Sequence, residues 1–593
     1  MKFFLILFIF NSTIYAISTD IINTLAKDQT WLNLLHYDKN KQKSTILNKD
    51  FFLTKEALLN PRSELKKTLL AYEKDMLDEK HALCRFPSRY YWISQYIPLK
   101  DYKLKRKKCT SLYSWKRRHK ADTLSVVFVS GFLGNPASAF GHSFIKINQK
   151  EKNSNHLFDT TISYGAKLPE KYTMLSYIYN GLTGGYNATY SDKYYYMDDI
   201  AYSHQEFREM WEYKLYLTKS EIDFLLLHLW ELRNQEFKYY FFNRNCGYKI
   251  SELLELVYKK DLRGEATLWY APIETFFRLR EIEKYYNTIF SDVKYIPSQQ
   301  QKIYAFYNMF NKKQKKIIND LIEKKINLKL LEYSLLKDKE KIKILDFLLE
   351  YLMYKSINTD DFKDNNFKQS VLLKRLSFPR YAYVKKEPID KQDITLYDKP
   401  TFISLGYSKS NLLLGYAPFS LNEVGYNQYN GDILNILSGT IAVNKNKISL
   451  HHLDIMKIRR LKTQKIPFDI ANPYSWSIQI GIDNRTDIDY FVDAGIGFSW
   501  QISSYINVYS MLHASVHSNN NHYRVNPNIG VFINLDKFRF NADYGYENME
   551  YKNIFSEKFS IKSQYKFHKD FSIFINMQKR ESTYMEFGIK WFL

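Results

Sequence analysis

Three patterns of apolar and polar residues follow one another along the chain and predict regions of different secondary structure. Up to about residue 295, short apolar runs alternate with stretches of helical periodicity, which indicates a mixed α+β region. Residues 299–356 carry Lys, Ile and Leu at helical spacing without Gly or Pro, which predicts two or three amphipathic helices. From about Thr401, apolar and polar residues alternate with a period of two, which predicts antiparallel strands.

In the first region, the apolar run Leu124–Ser130 predicts a buried strand and His142–Asn148 predicts another, and a loop of small residues, 131–141, joins them. A further strand is predicted at Leu157–Tyr164. His142 therefore opens a strand at the rim of a sheet, where an imidazole is able to act as a general base. A lone histidine at such a position is more often inert than catalytic.

A helix is predicted over Tyr248–Tyr258, directly after the dipeptide Asn245-Cys246. Its apolar face is formed by Ile250, Leu253, Leu254 and Val257. Asn245 is a natural N-cap, so the Cys246 thiol lies in the first turn, where the helix dipole favours a thiolate with a lowered pKa. The functional interpretation is a cysteine nucleophile. The structural interpretation, equally supported by position alone, is a small buried hydrophobic residue.

The C-terminal region predicts about twelve strands of ~8–12 residues, the length of outer-membrane strands. Its last ten residues, Tyr584–Leu593, alternate and are rich in aromatic side chains, as in the terminal strand of bacterial outer-membrane barrels. The alternative is a soluble β-sandwich or a small lipocalin-like barrel. An irregular linker with Pro379, Pro388 and Pro400 precedes these strands.

Composition narrows the function classes. The 593 residues exceed one ordinary core, so two or three domains are expected. The formal charge of +23 suits nucleic acid or anionic lipid headgroups, and the absence of zinc-finger, RNA-binding or basic-zipper motifs argues against nucleic acid. The basic stretch 100–120 is either a lipid-phosphate contact or, slightly favoured, a solvated loop.

Lys2, the apolar run Phe3–Phe10 and the small residue Ala16 predict a signal peptide over 1–16 and export to the periplasm. The alternative is a first helix bound to the core. No later run approaches the ~18–20 apolar residues of a membrane helix.

Export affects how the three cysteines are interpreted, because two cysteines pair in an oxidising compartment and one is left over. Cys84 and Cys109 are close in sequence and form the favoured disulfide, with Cys246 as the free thiol. A pairing through Cys246 stays open at this level.

No cluster of residues has convincing metal-ligand spacing, so neither a metal nor another cofactor is predicted.

A strand-borne histidine followed by a helix-start Asn-Cys resembles the circularly permuted branch of the papain-like NlpC superfamily, which includes lecithin:retinol acyltransferase-like enzymes. Over roughly residues 60–290 the chain more closely resembles the Lnb N-terminal periplasmic domain family. The segments that carry this resemblance are Cys84-Arg85-Phe86-Pro87-Ser88-Arg89, Cys109, Phe140-Gly141-His142-Ser143-Phe144, Ile162–Ala166, Gly181–Tyr186, Trp211-Glu212-Tyr213, His228–Leu232 and Asn245-Cys246.

The resemblance implies acyl transfer through a cysteine thioester, with phospholipid as donor and an amine such as a lipoprotein N-terminus as acceptor. Carried over by position, Cys246 is the nucleophile, His142 the base, and the Cys246 N–H part of an oxyanion hole. Ser163 and Asp159 are both candidates for the residue that orients the imidazole. Two alternatives stay open: a peptidase or amidase acting on peptidoglycan, and a non-enzymatic barrel protein with a degenerate domain.

The predicted architecture is thus a signal peptide (1–16), an α+β permuted papain-like domain (17–295), a helical connector and linker (296–395), and an all-β antiparallel barrel (396–593). The expected location is the periplasm and the outer membrane, with phospholipid and possible lipoprotein partners.

Overall fold

A computed structural model of the chain contains two compact units. The structure describes residues 19–75, 78–99, 108–132, 137–150, 156–264, 269–323, 325–328, 336–359, 365–379, 389–409, 411–427, 431–445, 447–485, 487–519, 522–549, 554–579 and 583–593. The predicted signal peptide lies outside these residues, as do 100–107 of the basic stretch and 133–136 of the small-residue loop. The first unit comprises described residues of 19–131, 137–198 and 212–294, and the second comprises those of 199–211 and 295–593, together with Phe132.

The first unit is built on an antiparallel sheet with the strand order β6-β4-β3-β2-β1-β5-β7 among the described residues. The strands are β1 Thr123–Val129, β2 His142–Asn148, β3 Thr160–Ala166, β4 Tyr186–Tyr194, β5 Met210–Leu215, β6 Phe237–Tyr239 and β7 Phe290–Ile296. In the centre, Val129 pairs with His142 and Phe144 pairs with Ser163. Both central strands are almost wholly buried, which the apolar run Leu124–Ser130 predicted for β1.

Helices cover this sheet and carry most of the chain between the strands. They are α1 Thr19–Lys27, α2 Gln29–Leu34, α3 Pro61–Tyr72, α4 Ala82–Arg85, α5 Pro87–Ile93, α6 Thr110–Arg118, α7 Met174–Thr183, α8 Tyr195–Asp198, α9 Lys219–Glu231, α10 Cys246–Tyr258 and α11 Glu274–Ile282. Helix α10 packs against β2 and β3, which brings the cysteine motif to the histidine strand.

Two predicted boundaries were wrong. The strand expected at Leu157–Tyr164 begins at Thr160, because His156–Phe158 form an exposed 3-10 turn. The Asp159 carboxylate lies 3.3 Å from the His156 ring of that turn and also accepts a hydrogen bond from the Gln149 N–H at 3.2 Å. The helix expected from Tyr248 begins two residues earlier, at Cys246.

The second unit begins with helices that share one apolar core. After a π-helical segment, Asp199–Gln205, the described helices are α12 Gln299–Asn308, α13 Lys312–Ile322, α14 Asp338–Asn358 and α15 Asn365–Leu376. Their core includes Phe306, Phe347 and Tyr351, and it also takes in Ile466 from the segment between two barrel strands. The Tyr351 hydroxyl donates to the Phe468 carbonyl at 2.9 Å. The predicted helical connector is therefore packed onto the barrel of its own unit.

The rest of the second unit is an antiparallel barrel. Its strands are β8 Phe402–Ser408, β9 Asn411–Ala417, β10 Phe419–Leu421, β11 Ile433–Asn444, β12 Lys447–Arg460, β13 Ser475–Asp483, β14 Asp489–Gln501, β15 Ile506–His517, β16 Tyr523–Leu535, β17 Phe538–Met549, β18 Ile554–His568, β19 Phe571–Lys579 and β20 Thr583–Phe592. Among the described residues the ring contains twelve strands, with the short β10 beside it. Closure comes from β20 pairing with β8 and from β9 pairing with β11, where Leu414 lies opposite Ile441.

The two faces of the barrel differ in polarity. On β14, Val492, Ile496, Phe498 and Trp500 are exposed on the outside, in alternation with less exposed residues. Charged side chains line an interior cavity of about 380 Å³. Within it, Asp493 bonds His513 at 2.8 Å. A soluble lipocalin-like barrel or sandwich places its apolar residues inside, so this arrangement is that of a membrane barrel.

In the part of the chain that the structure describes, no helix is both long and apolar enough to cross a lipid bilayer.

Candidate active site

Cys246 is the first residue of α10, and Asn245 caps the helix in two ways. The Asn245 side-chain oxygen accepts a hydrogen bond from the Tyr248 N–H at 3.3 Å. Its amide nitrogen donates to the carbonyls of Phe241, at 3.1 Å, and Tyr270, at 2.6 Å. The cap thus fastens the approaching loop to the start of the helix, and the position of the buried thiol follows from it.

Glycines allow close approach on both sides of this site. A Cβ on Gly247 would lie 2.6 Å from the Pro272 Cα, so a side chain there would push the first turn of α10 away from its neighbour. Gly141 has a φ of +91°, and a Cβ there would lie 2.7 Å from the ring of Phe128. Only glycine adopts this turn without strain, so Gly141 allows the chain to enter β2 at His142.

The sulfur of Cys246 lies beside the start of β2. Burial raises the pKa of the Cys246 thiol, while the N–H groups of Ser143, Gly247 and Cys246 itself, together with the Ser143 hydroxyl, act in the opposite direction. The lowered pKa expected from the helix dipole was therefore wrong for the resting site, because desolvation outweighs the N–H groups. Ser143 directly follows His142, which is only partly buried, so the two predicted catalytic motifs meet here.

Cys84 and Cys109 form a disulfide with a Cα–Cα distance of 5.3 Å, which leaves Cys246 as the free thiol. The bridge joins α4 to the N-cap of α6 in a small cluster with Leu83 and Leu112.

The two candidates for the third catalytic position lie at different ends of β2. Ser163 is opposite Phe144, whose ring lies 6.3 Å from the His142 ring. Asp159 adjoins Thr160, which pairs with Ile147, about 17 Å along the strand from His142 at ~3.3 Å per residue. Asp159 is instead 3.5 Å from the Lys146 ammonium and 3.3 Å from the His156 ring. This placement favours Ser163 over Asp159 as the neighbour of the imidazole.

Aromatic rings connect the histidine and cysteine motifs. Phe140, two residues before His142, contacts Trp269 at a ring distance of 5.0 Å, and Trp269 contacts Phe242 at 4.4 Å. Phe242 belongs to the loop that leads into Cys246. A site bordered by these rings suits an apolar substrate better than a strongly polar one.

Behind the thiol, α10 carries a buried network of charges that the sequence analysis did not identify. Lys249, Glu252 and Glu255 recur every third residue on the helix and are all buried. The Lys249 ammonium lies 2.6 Å from Glu252, and the Arg263 guanidinium lies 2.6 Å from Glu252 and 2.7 Å from Glu255. The three-residue spacing of these charged residues was visible in the sequence. It did not reveal a buried network, because a solvent-facing helix surface produces the same pattern.

His36 completes that network from the N-terminal segment. Its Nδ1 lies 2.8 Å from a Glu252 oxygen. Burial acts to raise the pKa of Glu252, but Lys249, His36 and Arg263 hold it well below its usual range. Glu252 is therefore an anion inside the unit, and it ties α10 to the segment after α2.

In the described residues, no group of three or more His, Cys, Asp or Glu side chains is arranged to hold a metal ion.

The region that contains the histidine and cysteine motifs matches a known family model. Residues 111–281 match the family model described as the Lnb N-terminal periplasmic domain. Residues 23–96 and 422–593 match two further models, each described as a domain of unknown function. The predicted resemblance is confirmed over the region 111–281, which includes the positions of His142 and Cys246, but the segment Cys84–Arg89 falls within the first of the other two models. No curated protein sequence matches the chain.

Two porins and an outer membrane protein are among the solved structures to which about a third of this chain is similar. The KdgM porin shows 10% identity and a TM-score of 0.22, covering 32% of this chain and 98% of that chain. The NanC porin shows 9% identity and a TM-score of 0.22, covering 32% of this chain and 99% of that chain. The outer membrane protein Omp33 of Acinetobacter baumannii shows 8% identity and a TM-score of 0.20, covering 33% of this chain and 98% of that chain. The closure of the barrel itself is established by its strand pairing.

A periplasmic family domain and a membrane-type barrel in one chain define an exported protein of the periplasm and outer membrane, as the sequence predicted.

Proposed function

We propose that the first unit is a cysteine-dependent acyltransferase that moves a fatty acyl chain from a phospholipid to an amine, such as a lipoprotein N-terminus. The observation that carries this proposal is the placement of the unpaired Cys246, at the start of α10, against the strand that begins with His142. The Lnb family match over the same residues supports it. No cofactor is required.

In the first half-reaction, His142 takes the proton of the Cys246 thiol, and the sulfur attacks the ester carbonyl of the phospholipid. The tetrahedral intermediate collapses as the carbon–oxygen ester bond breaks. The lysophospholipid oxygen leaves with the proton from the imidazolium, and the acyl group remains on Cys246 as a thioester. Because burial raises the pKa of Cys246, the thiol is protonated at rest and depends on this base.

In the second half-reaction, the acceptor amine attacks the thioester carbonyl. His142 takes one proton from the amine and returns it to the sulfur as the carbon–sulfur bond breaks. The product is an amide and the enzyme regains its thiol. The Cys246 and Gly247 N–H groups, in the first helical turn and beside the sulfur, would stabilise the oxyanion in both steps, since the first N–H groups of a helix have no partner within it.

The decisive experiment is capture of the acyl-enzyme. The full chain, reconstituted with phospholipid carrying a labelled acyl chain, is expected to gain that acyl mass on the peptide containing Cys246. Cys246→Ala should remove the adduct completely, and His142→Gln should slow its formation by about 10³-fold. Lys249→Ala is unsuitable as a control because it disturbs the buried network, whereas Lys67→Ala changes an exposed residue of α3 in the same unit and should leave the rate unchanged.

Several results would reject the lipid reaction. Cleavage of muropeptides by the wild type, absent in Cys246→Ala and without any acyl adduct, would assign a peptidase or amidase. Equal behaviour of wild type, Cys246→Ala and His142→Gln in both assays would assign a non-enzymatic domain.

A further inference from the structure

Helix α7 has one buried side and one exposed apolar side. Leu175, Tyr179 and Leu182 follow one another at i, i+4 and i+7 and are 80%, 66% and 40% exposed. On the opposite side, Tyr177 and Gly181 are buried. A surface helix normally presents polar residues at such positions, so this exposed apolar stripe indicates a surface that binds something.

We call Leu175, Tyr179 and Leu182 the outer face of α7. Two further apolar side chains in the segment before the helix, Leu168 and Tyr172, are 41% and 49% exposed, and the Tyr172 ring lies 5.4 Å from that of Tyr177. Tyrosines such as Tyr172 and Tyr179 combine an apolar ring with a polar hydroxyl and are enriched where hydrocarbon meets headgroups.

The inner side of α7 is attached to the loop that leads to Cys246. The Phe241 N–H donates to the Gly181 carbonyl at 2.9 Å, and the Tyr177 and Phe241 rings are 5.1 Å apart. A Cβ on Gly181 would lie 2.2 Å from the Phe241 ring, so only glycine allows this approach. Because Asn245 in turn bonds the Phe241 carbonyl, a short path of direct contacts runs from α7 to the thiol.

The surroundings of the outer face favour a phospholipid surface as its occupant. Lys167, Lys171 and Lys238 are exposed near it, against the acidic Glu170 and Glu236. The whole chain carries a formal charge of +23, which favours anionic headgroups. The same chain ends in a membrane barrel, so this helix is tethered to a bilayer and meets lipid at high effective concentration.

We propose that the outer face of α7 lies in the headgroup region of the membrane and admits the acyl chain of the donor phospholipid towards Cys246. The binding of lipid stands on the exposed face alone, and the delivery of the acyl chain rests on the proposed function. The link between this face and the site is the packed aromatic contact of Tyr177 with Phe241, which couples α7 to the loop that leads to Cys246.

A label test examines membrane contact without catalysis. The full chain carrying Leu175→Cys in a Cys246→Ala background is labelled with an environment-sensitive fluorophore and reconstituted in vesicles of phosphatidylethanolamine and phosphatidylglycerol. We expect a blue-shifted emission that spin-labelled lipid quenches. Leu59, 72% exposed in the same unit, supplies the control Leu59→Cys, which should stay in water. An unquenched label at position 175 would overturn the proposal, and energy transfer between labelled chains without lipid quenching would assign the face to a second copy.

An activity test examines delivery. Leu175→Asp with Tyr179→Asp should slow acylation of Cys246 by vesicle phospholipid about tenfold or more, yet leave acylation by a water-soluble short-chain ester unchanged. The matched control is Leu59→Asp with Leu70→Asp, two exposed leucines of α3 and the preceding turn, which should change neither rate. Equal loss with both donors would mean damage to the site and would overturn delivery. Lipid quenching at position 175 without any acylation of the wild type would retain the membrane contact and reject the proposed function.

Discussion

The Nε2 atoms of His36 and His228 lie 3.0 Å apart inside the first unit, and their rings are stacked at 5.1 Å. One nitrogen must donate and the other accept. Since His36 Nδ1 faces the Glu252 carboxylate at 2.8 Å, its proton belongs on Nδ1, and His36 Nε2 accepts. His228 then donates from Nε2, and its Nδ1 faces the Ser88 hydroxyl at 3.4 Å. This line of contacts joins α10 to the N-terminal segment, α9 and α5.

Acid should weaken the first unit through His36. Burial lowers the pKa of His36 to about 3, against the opposing effect of Glu252. The unfolded chain protonates this residue near pH 6.5, whereas the folded chain protonates it only near pH 3. The unfolded state therefore binds more protons between these two pH values. The free energy of unfolding therefore falls as pH falls, by up to about 1.4 kcal/mol per pH unit. Pulse proteolysis between pH 7 and 5 should show this slope in the wild type.

The matched variant is His36→Gln, which has no titratable group. We expect it to be less stable at pH 7 but to lose less stability between pH 7 and 5. The same slope in both proteins would assign the acid sensitivity to another residue.

Removing the anion at the centre of the network should be costly. Glu252→Gln leaves Lys249 and Arg263 buried with less compensating charge, and we expect a loss of about 3–5 kcal/mol in the free energy of unfolding. Glu236→Gln breaks an ion pair with Lys167, whose side chain is 51% exposed, and should cost under about 1 kcal/mol. Denaturant unfolding of the full chain in detergent compares the two, and equal losses would contradict the role assigned to Glu252.

Mutations distinguish the two candidates for the third catalytic position, Ser163 and Asp159. Among the described residues the buried Ser163 hydroxyl has no hydrogen-bond partner, which leaves it available to a neighbour. We expect Ser163→Ala to slow acylation about tenfold and to shift the acidic limb of its pH profile, since it changes the environment of the base. Asp159→Asn should lower stability through Lys146 and leave the rate within about twofold. The opposite ranking would return Asp159 to the site.

The disulfide should stabilise the unit without taking part in the chemistry. Its sequence separation of 25 gives a loop-closure contribution of about 3.5 kcal/mol. We expect Cys84→Ala with Cys109→Ala to lower the thermal midpoint of the first unit and to keep acylation of Cys246. Loss of the adduct from a protein that is still folded would show that the bridge also positions the thiol.

Local sequence signals predicted the elements that carry His142 and Cys246 and the barrel strands, but not the contacts between elements. The cap at Asn245, the start of β2 at His142 and the alternation of the barrel strands were readable because caps and periodicity depend on neighbours in the chain. Helix α7 was missed, although Gly181–Tyr186, which overlaps its end, is one of the segments that carry the family resemblance. Its apolar residues face outwards as well as inwards, so its pattern does not show which side is buried.

What the sequence determined by itself was the elements that carry His142 and Cys246, the free-thiol candidate and the alternating strands of the C-terminal region, since each depends on short-range spacing. Only the tertiary structure decided that His36 meets Glu252 across 216 positions, that burial raises the pKa of Cys246, and that β9 closes the barrel on β11. The physical reason is that burial and pairing between distant segments depend on the free energy of the whole fold, which has no signature in any one segment.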